Sequence, residues 1–522
     1  MALKKMKFKV IGRHDVIPSG QKIAYLIKDA WDDWGEFNTL FRLVVLDDTG
    51  EKHAIGELKI GEFSMPKGQR SPALPEAFPF LEDSFFSLGQ DNSYYANLYK
   101  LKWSIRNEIL KKLNDVVVDE ELLERAIPER VTKISLLRSV SVSSIRGQFR
   151  RILEGHAILT TYAFAYTLPK QRGSDSVPIK LRFKVKPDTL PPSNIHVLIG
   201  RNGVGKTHIL NKMALALKSE GKSPSTNGSF EFDEDINDEQ FASVISISFS
   251  AFDPFQPLPE TKDKSLGVTY SYVGLKRQNN IGGKVGTPKT PEMLRREFVK
   301  SLRSSLQGAS RERWLKVMSL FEDDPNFRDA QITSLDEVLD EELAEEDESD
   351  FDAEAGSRFD ALSTGHKLVA LTLTKLVELV EERTLVLFDE PESHLHPPLL
   401  AQFIRAISEL LTDRNGVAIL ATHSPVVLQE VPKTCAWVLA RSGSLTSADR
   451  PEEETFGENV GVLTREIFGL EVMNSGFHKL ITKAVSRSDS LESVMAEFNN
   501  KIGVEGRGIA RALFSAKRKT EQ

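Results

Sequence analysis

Hydrophobic and polar positions sort this chain into stretches of distinct period. Over residues 41–46 and 53–60, apolar side chains alternate with polar ones on either side of Asp47-Asp48-Thr49-Gly50, which predicts a β-hairpin. A proline-rich stretch, residues 64–79, leads to helical periodicities at 94–101 and 105–113. The pattern becomes strand-like at 158–168, 179–186 and 195–199, and a further strand is expected at 246–253. Residues 385–388 and 417–420 are unbroken apolar runs of strand length, as strands buried on both faces show. Residues 291–321 read as helix, and helical patterns return beyond Arg450. Heptads are sustained nowhere.

These elements predict an α/β protein in three parts. Residues 1–155 form a mixed α+β N-terminal module, in which Trp31, Trp34 and Phe37 are core or interface anchors and no chemical motif is readable. Residues 156–447 form the α/β domain, with a helical insertion at about 260–356, and residues 448–522 a helical extension. An apolar content of 40% is enough for two or three cores in 522 residues. The single cysteine, Cys435, excludes an internal disulfide framework and fits a reducing compartment. With no signal-peptide pattern and no apolar run of spanning length, a cytoplasmic protein with no membrane partner is expected. A net charge of −7 argues against coating nucleic acid through bulk charge, though not against a local basic groove. Arg295, Arg296, Lys300, Arg303, Arg311, Arg313 and Lys316 read as a solvated helix face, with contact to a phosphate backbone as the sharper alternative. The acidic stretch 336–352 reads as a mobile surface segment.

The chemistry gathers around the strand at 195–199. It feeds Gly200-Arg201-Asn202-Gly203-Val204-Gly205-Lys206-Thr207, and a helix-prone run follows at 209–218. Gly-x-x-x-x-Gly-Lys-Thr between strand and helix is a phosphate loop, in which backbone N–H groups and the helix N-terminus receive the phosphates of ATP. Lys206 is placed to reach the β- and γ-phosphates and Thr207 to ligate Mg2+. The run at 385–388 ends in Asp389 and Glu390: Asp389 as a second magnesium ligand, Glu390 as the group that orients or deprotonates the attacking water. His423, after the strand at 417–420, is placed to hydrogen-bond the γ-phosphate or that water. His394 and His396 have metal-ligand spacing, but no third ligand accompanies them. Tyr162, Tyr166 and Phe183 are candidates to stack on the base, with packing the more ordinary role, and Gln256 is a further candidate nucleotide-site residue.

Leu362-Ser363-Thr364-Gly365-His366-Lys367 resembles the signature motif of ABC ATPases, departing from it at Thr364 and His366. Residues 391–397 stand where that family has its D-loop, and the motifs follow in ABC order. The resemblance implies composite ATP sites, in which Ser363, Thr364, Gly365 and His366 of one subunit meet the triphosphate held by another, and hence a homodimer or larger homo-oligomer. The wording Asp-Glu-Pro-Glu-Ser-His-Leu-His-Pro, followed by Ala-Thr-His-Ser-Pro, resembles the overcoming-lysogenization-defect branch, close to the SMC-like ATPases. No set of TOPRIM nuclease carboxylates follows His423. The chain is thus similar to the PtuA-like ATPases of Septu and retron-associated antiphage systems, which implies an HNH-type partner effector nuclease, with DNA or retron nucleic acid as a further partner. Two other classes compete. A RecF- or SMC-like repair ATPase is the first, though the absence of heptads disfavours SMC. A transporter ATPase is the second, disfavoured by the long segment before the phosphate loop.

Overall fold

The computed structural model describes residues 6–520, apart from 30–32, 34, 156–158, 170–177, 188, 219–223, 234–240, 251–254, 262–267, 278–287, 307, 346–348, 443–444 and 474–475. The expectations for Trp31, Trp34 and the end of the 246–253 strand lie outside the described residues.

Three sheets organise the chain. In the first, β1 (Lys7–Ile11), β2 (Ile23–Lys28), β3 (Leu40–Leu46), β4 (Lys52–Glu62), β5 (Ala77–Phe78) and β6 (Phe85–Gly89) lie in the order β5-β1-β2-β3-β4-β6. The β3–β4 hairpin is closed as the alternation predicts. The Asp47 carboxylate accepts the N–H groups of Thr49 and Glu51 and the Thr49 hydroxyl, so the turn residues satisfy one another locally. Helices Asn92–Lys100 and Trp103–Lys112 cover this sheet, and Phe37 is buried in the shared core.

The second and third sheets share a core. β7 (Tyr162–Leu168) and β8 (Ile179–Val185) precede β9 (Ile195–Gly200), and β10 (Ser229–Phe232) returns to pair antiparallel with β7. The large sheet adds β11 (Ser243–Ser248), β12 (Thr269–Gly274), β13 (Thr384–Asp389), β14 (Val417–Thr422), β15 (Ala436–Ser442) and β16 (Leu445–Asp449), in the order β12-β11-β13-β14-β9-β15-β16. It is parallel except at the β15–β16 edge. Alternate residues of one strand enter opposite layers. Ile195, Val197 and Ile199 pack with the helices at 291–345, 349–361, 364–379 and 397–412, whereas Leu198 packs with helix Lys206–Lys218 and the β7–β8 sheet. Burial on both faces is why these strands read as continuous apolar runs.

The insertion corrects the reading of its charges. Residues 335–345 and 349–361 are helices, not a loose acidic segment. Arg303 pairs with Glu342 at 2.6 Å and Asp352 at 2.8 Å, and Arg311 with Asp336 at 3.1 Å and Asp340 at 2.7 Å. The basic and acidic runs therefore neutralise each other across the helices, and with Arg295 on Asp360, Arg313 on Asp91 and Lys316 on Asp413, five of the seven cations are paired. Among the described residues, no helix is long and apolar enough to cross a membrane.

The N-terminal module meets the α/β part through buried charge. Asp91, the N-cap of helix Asn92–Lys100, is paired with Arg313 at 2.8 Å and with Arg414. Glu382 accepts the Gln148 N–H at 3.1 Å and pairs with Arg151. Near this junction burial, with the charge of Asp29 adding, pushes the Glu57 carboxyl up to about 7, although Arg42 and Lys59 oppose the shift. An acid raised on folding loses stability as pH climbs from its unfolded value toward 7. Glu57→Gln should therefore raise the melting temperature at pH 8 and leave it unchanged at pH 4, measured by thermal scans of both chains.

Candidate functional site

The order β13-β14-β9 brings three carboxyl ends side by side, where ligands of parallel sheets collect. Register aligns them closely: Thr422 lies opposite Ile199, Ala421 opposite Leu198, and Asp389 opposite both Ala421 and Ser248. Residues far apart in sequence thus meet at one edge.

Gly200 ends β9 under steric constraint. β15 pairs with it, and a Cβ at Gly200 would stand 2.3 Å from the Leu439 carbonyl oxygen. Gly203 (φ +81) and Gly205 (φ +102) take left-handed backbone, and a Cβ at either would meet nothing within 4 Å among the described residues. The space beside both glycines is therefore open among the described residues, as a loop that takes phosphates close to its backbone requires. Val204 anchors it in the core, while Arg201 is half-buried and Asn202 exposed. Lys206 is buried and folds back, donating to the carbonyls of Gly200 at 2.9 Å and Arg201 at 3.1 Å. Burial holds its ammonium below the ordinary lysine range, against the pull of Glu390, Asp389 and Glu392.

Thr207 and Asp389 meet directly. The Thr207 hydroxyl lies 3.0 and 2.9 Å from the two Asp389 carboxylate oxygens. A hydroxyl against a carboxylate at the mouth of an anion-binding loop is an oxygen donor set that suits Mg2+, so these residues fit the metal the loop implies. Glu390 follows with φ +51, unusual for a side-chain-bearing residue, and its N–H donates to the Ala421 carbonyl at 2.8 Å. This bond fixes the step between β13 and β14. His423 stands across from it, with Nδ1 4.0 Å from Glu390 Oε1 and 3.0 Å from Glu392 Oε1. Gln256 lines a small cavity with Thr207, Asn211, Ser248, Tyr272 and Asp389, so it does reach the site.

The signature-like residues sit elsewhere on the same chain. Ser363 is the N-cap of helix Thr364–Leu379, yet its hydroxyl pairs with His366 Nδ1 at 2.6 Å instead of capping the helix. Ser363 and Thr364 are exposed, whereas Gly365 and His366 are buried. His366 Nε2 lies 3.0 Å from Asp324, and its ring stands edge-on to Phe327. Burial works to raise the Asp324 carboxyl, but His366 and local N–H groups bring it below the ordinary range. Gly365 is required by contact: a Cβ there would come 2.6 Å from the His394 carbonyl. The helix start thus packs on the loop after Glu390.

Tyr162, Tyr166 and Phe183 are all buried in the core, Tyr162 bonded to the Asn415 carbonyl at 2.9 Å and Phe183 edge-on to His196, so packing is their role. Glu392 was missed as a site residue by sequence reasoning. Its one signal was position, two residues past Glu390 in the loop that returns beneath β14.

A strand feeding a phosphate loop, with a second strand ending in paired carboxylates beside it, is how a P-loop ATPase domain with an ABC-like α/β fold is built. The family described as "AAA domain, putative AbiEii toxin, Type IV TA system" matches residues 195–429. Protein ea59 of Escherichia phage lambda is 40% identical over 528 residues, covering 98% of both chains, and this chain belongs to its family. Among solved structures, a nucleotide-free ATP-binding cassette from an ABC transporter is similar at 14% identity, over 59% of this chain and 95% of its own, with a TM-score of 0.27. An ATP-binding cassette in its ADP conformation is similar at 14% identity, over 60% and 99%, with a TM-score of 0.29.

The Gly200 contact gives a direct check. Gly200→Ala should cost about 1–3 kcal/mol by forcing β15 away from β9. Chemical denaturation of the variant beside the parent chain measures it.

Proposed function

We propose that this chain binds and hydrolyses ATP in composite sites between two copies, and that the resulting change in assembly controls a partner effector. The single observation that carries the reading is the Thr207–Asp389 contact at the open phosphate loop, with Glu390 and His423 at the same edge. N–H groups of residues 203–207, at the start of helix Lys206–Lys218, receive the phosphate oxygens. Lys206 exchanges its two carbonyl partners for the β- and γ-phosphates. Magnesium held by Thr207 and Asp389 would neutralise charge developing on the phosphate oxygens. Glu390 accepts the proton of the attacking water, and His423 donates toward the γ-phosphate.

The exposure of Ser363 and Thr364 at a helix start supports a trans role, since a helix N-terminus suits an anion held by a second copy. In that assembly each nucleotide is buried between subunits, so binding drives association. The effector we favour is a nuclease of HNH type, in defence of a host genome against phage. Among the described residues the insertion's helices pack into one core without a long coiled coil, which disfavours an SMC-type tether.

Glu390→Gln should retain ATP binding within about threefold and lower turnover at least ~100-fold, as loss of a general base does. Fluorescent-nucleotide titration and phosphate release measure the two. Normal turnover by the variant removes Glu390 from this role.

A further inference from the structure

We infer that Glu392 is a positioning residue that fixes the orientation and tautomer of His423 in the nucleotide cleft. This deepens the ATPase reading and rests on it for its effect on turnover, though not for its structural content.

The observations centre on one carboxylate oxygen. Glu392 Oε1 accepts the Thr422 hydroxyl at 2.8 Å and the His423 backbone N–H at 2.8 Å, and stands 3.0 Å from His423 Nδ1. An ionised carboxylate oxygen can only accept, so this approach favours the tautomer that carries its proton on Nδ1. His423 is then held with Nδ1 protonated toward Glu392, and Nε2 becomes the nitrogen free to face a phosphate or water. The side chains differ in exposure as this division of labour requires: Glu392 is 11% exposed and His423 47%. A buried carboxylate anchors the half-open imidazole. The logic is that of a carboxylate orienting a working histidine, here with the carboxylate in the loop after β13 and the histidine just past the end of β14.

Glu392 Oε2 adds a second observation. It is buried, with no hydrogen-bond partner among the described residues. A carboxylate carrying an unsatisfied buried oxygen is costly, and stability alone would be served better by an apolar residue. The loop bearing it also has a fixed backbone. His394 is left-handed at φ +67, and its carbonyl closes on Gly365. Glu392 is therefore held from both sides, by the ends of β13 and β14 and by the signature helix start.

The test uses the full-length chain. With selective 15N-histidine labelling, and His423→Gln to assign the signal among ten histidines, long-range 1H–15N correlation should show His423 as the Nδ1–H tautomer. Glu392→Ala should lose that preference and lower kcat about 10–100-fold, with KM within about twofold. Glu392→Gln keeps an acceptor oxygen and should recover both readouts to within about threefold of the parent chain. In a His423→Ala background, Glu392→Ala should cost nothing further. An unchanged tautomer in Glu392→Ala, or losses that multiply in the double variant, overturns the proposal. A parent chain without ATPase activity would instead sink the functional reading, while the tautomer measurement still decides the role of Glu392.

Discussion

The contact between the Thr207 hydroxyl and the Asp389 carboxylate depends on everything around it. These groups are distant in sequence, and they meet because β9, β14 and β13 lie in that order and in parallel. Hydrophobic burial on both faces of the sheet holds the order, and backbone pairing sets the register to the residue. A slip of one position would turn Asp389 into the core and Phe388 into the cleft. The apolar runs that make the strands thus also fix where the charges can stand.

The site and the core are coupled at glycines and at left-handed residues. Gly200 admits β15, Gly365 admits the His394 carbonyl, and Glu390 takes a strained backbone to follow β14. Each is a place where local preference yields to tertiary packing. The loop after Glu390 therefore touches His423 through Glu392 and the signature helix through His394. Movement of that loop displaces both.

Much of this was legible beforehand, for physical reasons. Strand periods and the glycine turn are local, so the phosphate loop, the carboxylate strand and the β3–β4 hairpin could be read from spacing alone. The family resemblance pointed to residues 362–367 but not to their burial: that Gly365 and His366 turn inward depends on Asp324, Phe327 and His394, which lie far from them in sequence. The charged runs misled for the same reason. Arg303 looked solvated and residues 336–352 looked loose because their partners lie in each other, a pairing visible only once the helices pack. Glu392 escaped because a loop carboxylate has no period to betray it.

The docking of the N-terminal module fixes how it can communicate. It grips Glu382 and Arg414, just ahead of β13 and β14, at the amino ends of the strands whose other ends carry Asp389, Glu390 and His423. Six residues of β13 separate the two, roughly 20 Å of extended chain. Whatever that module recognises, no side chain of it at that seam can reach across to a triphosphate. Its influence has to pass as a rigid tilt of strands, or along the helix that bears Arg313 and, through Trp314, leans on Thr374 of the signature helix.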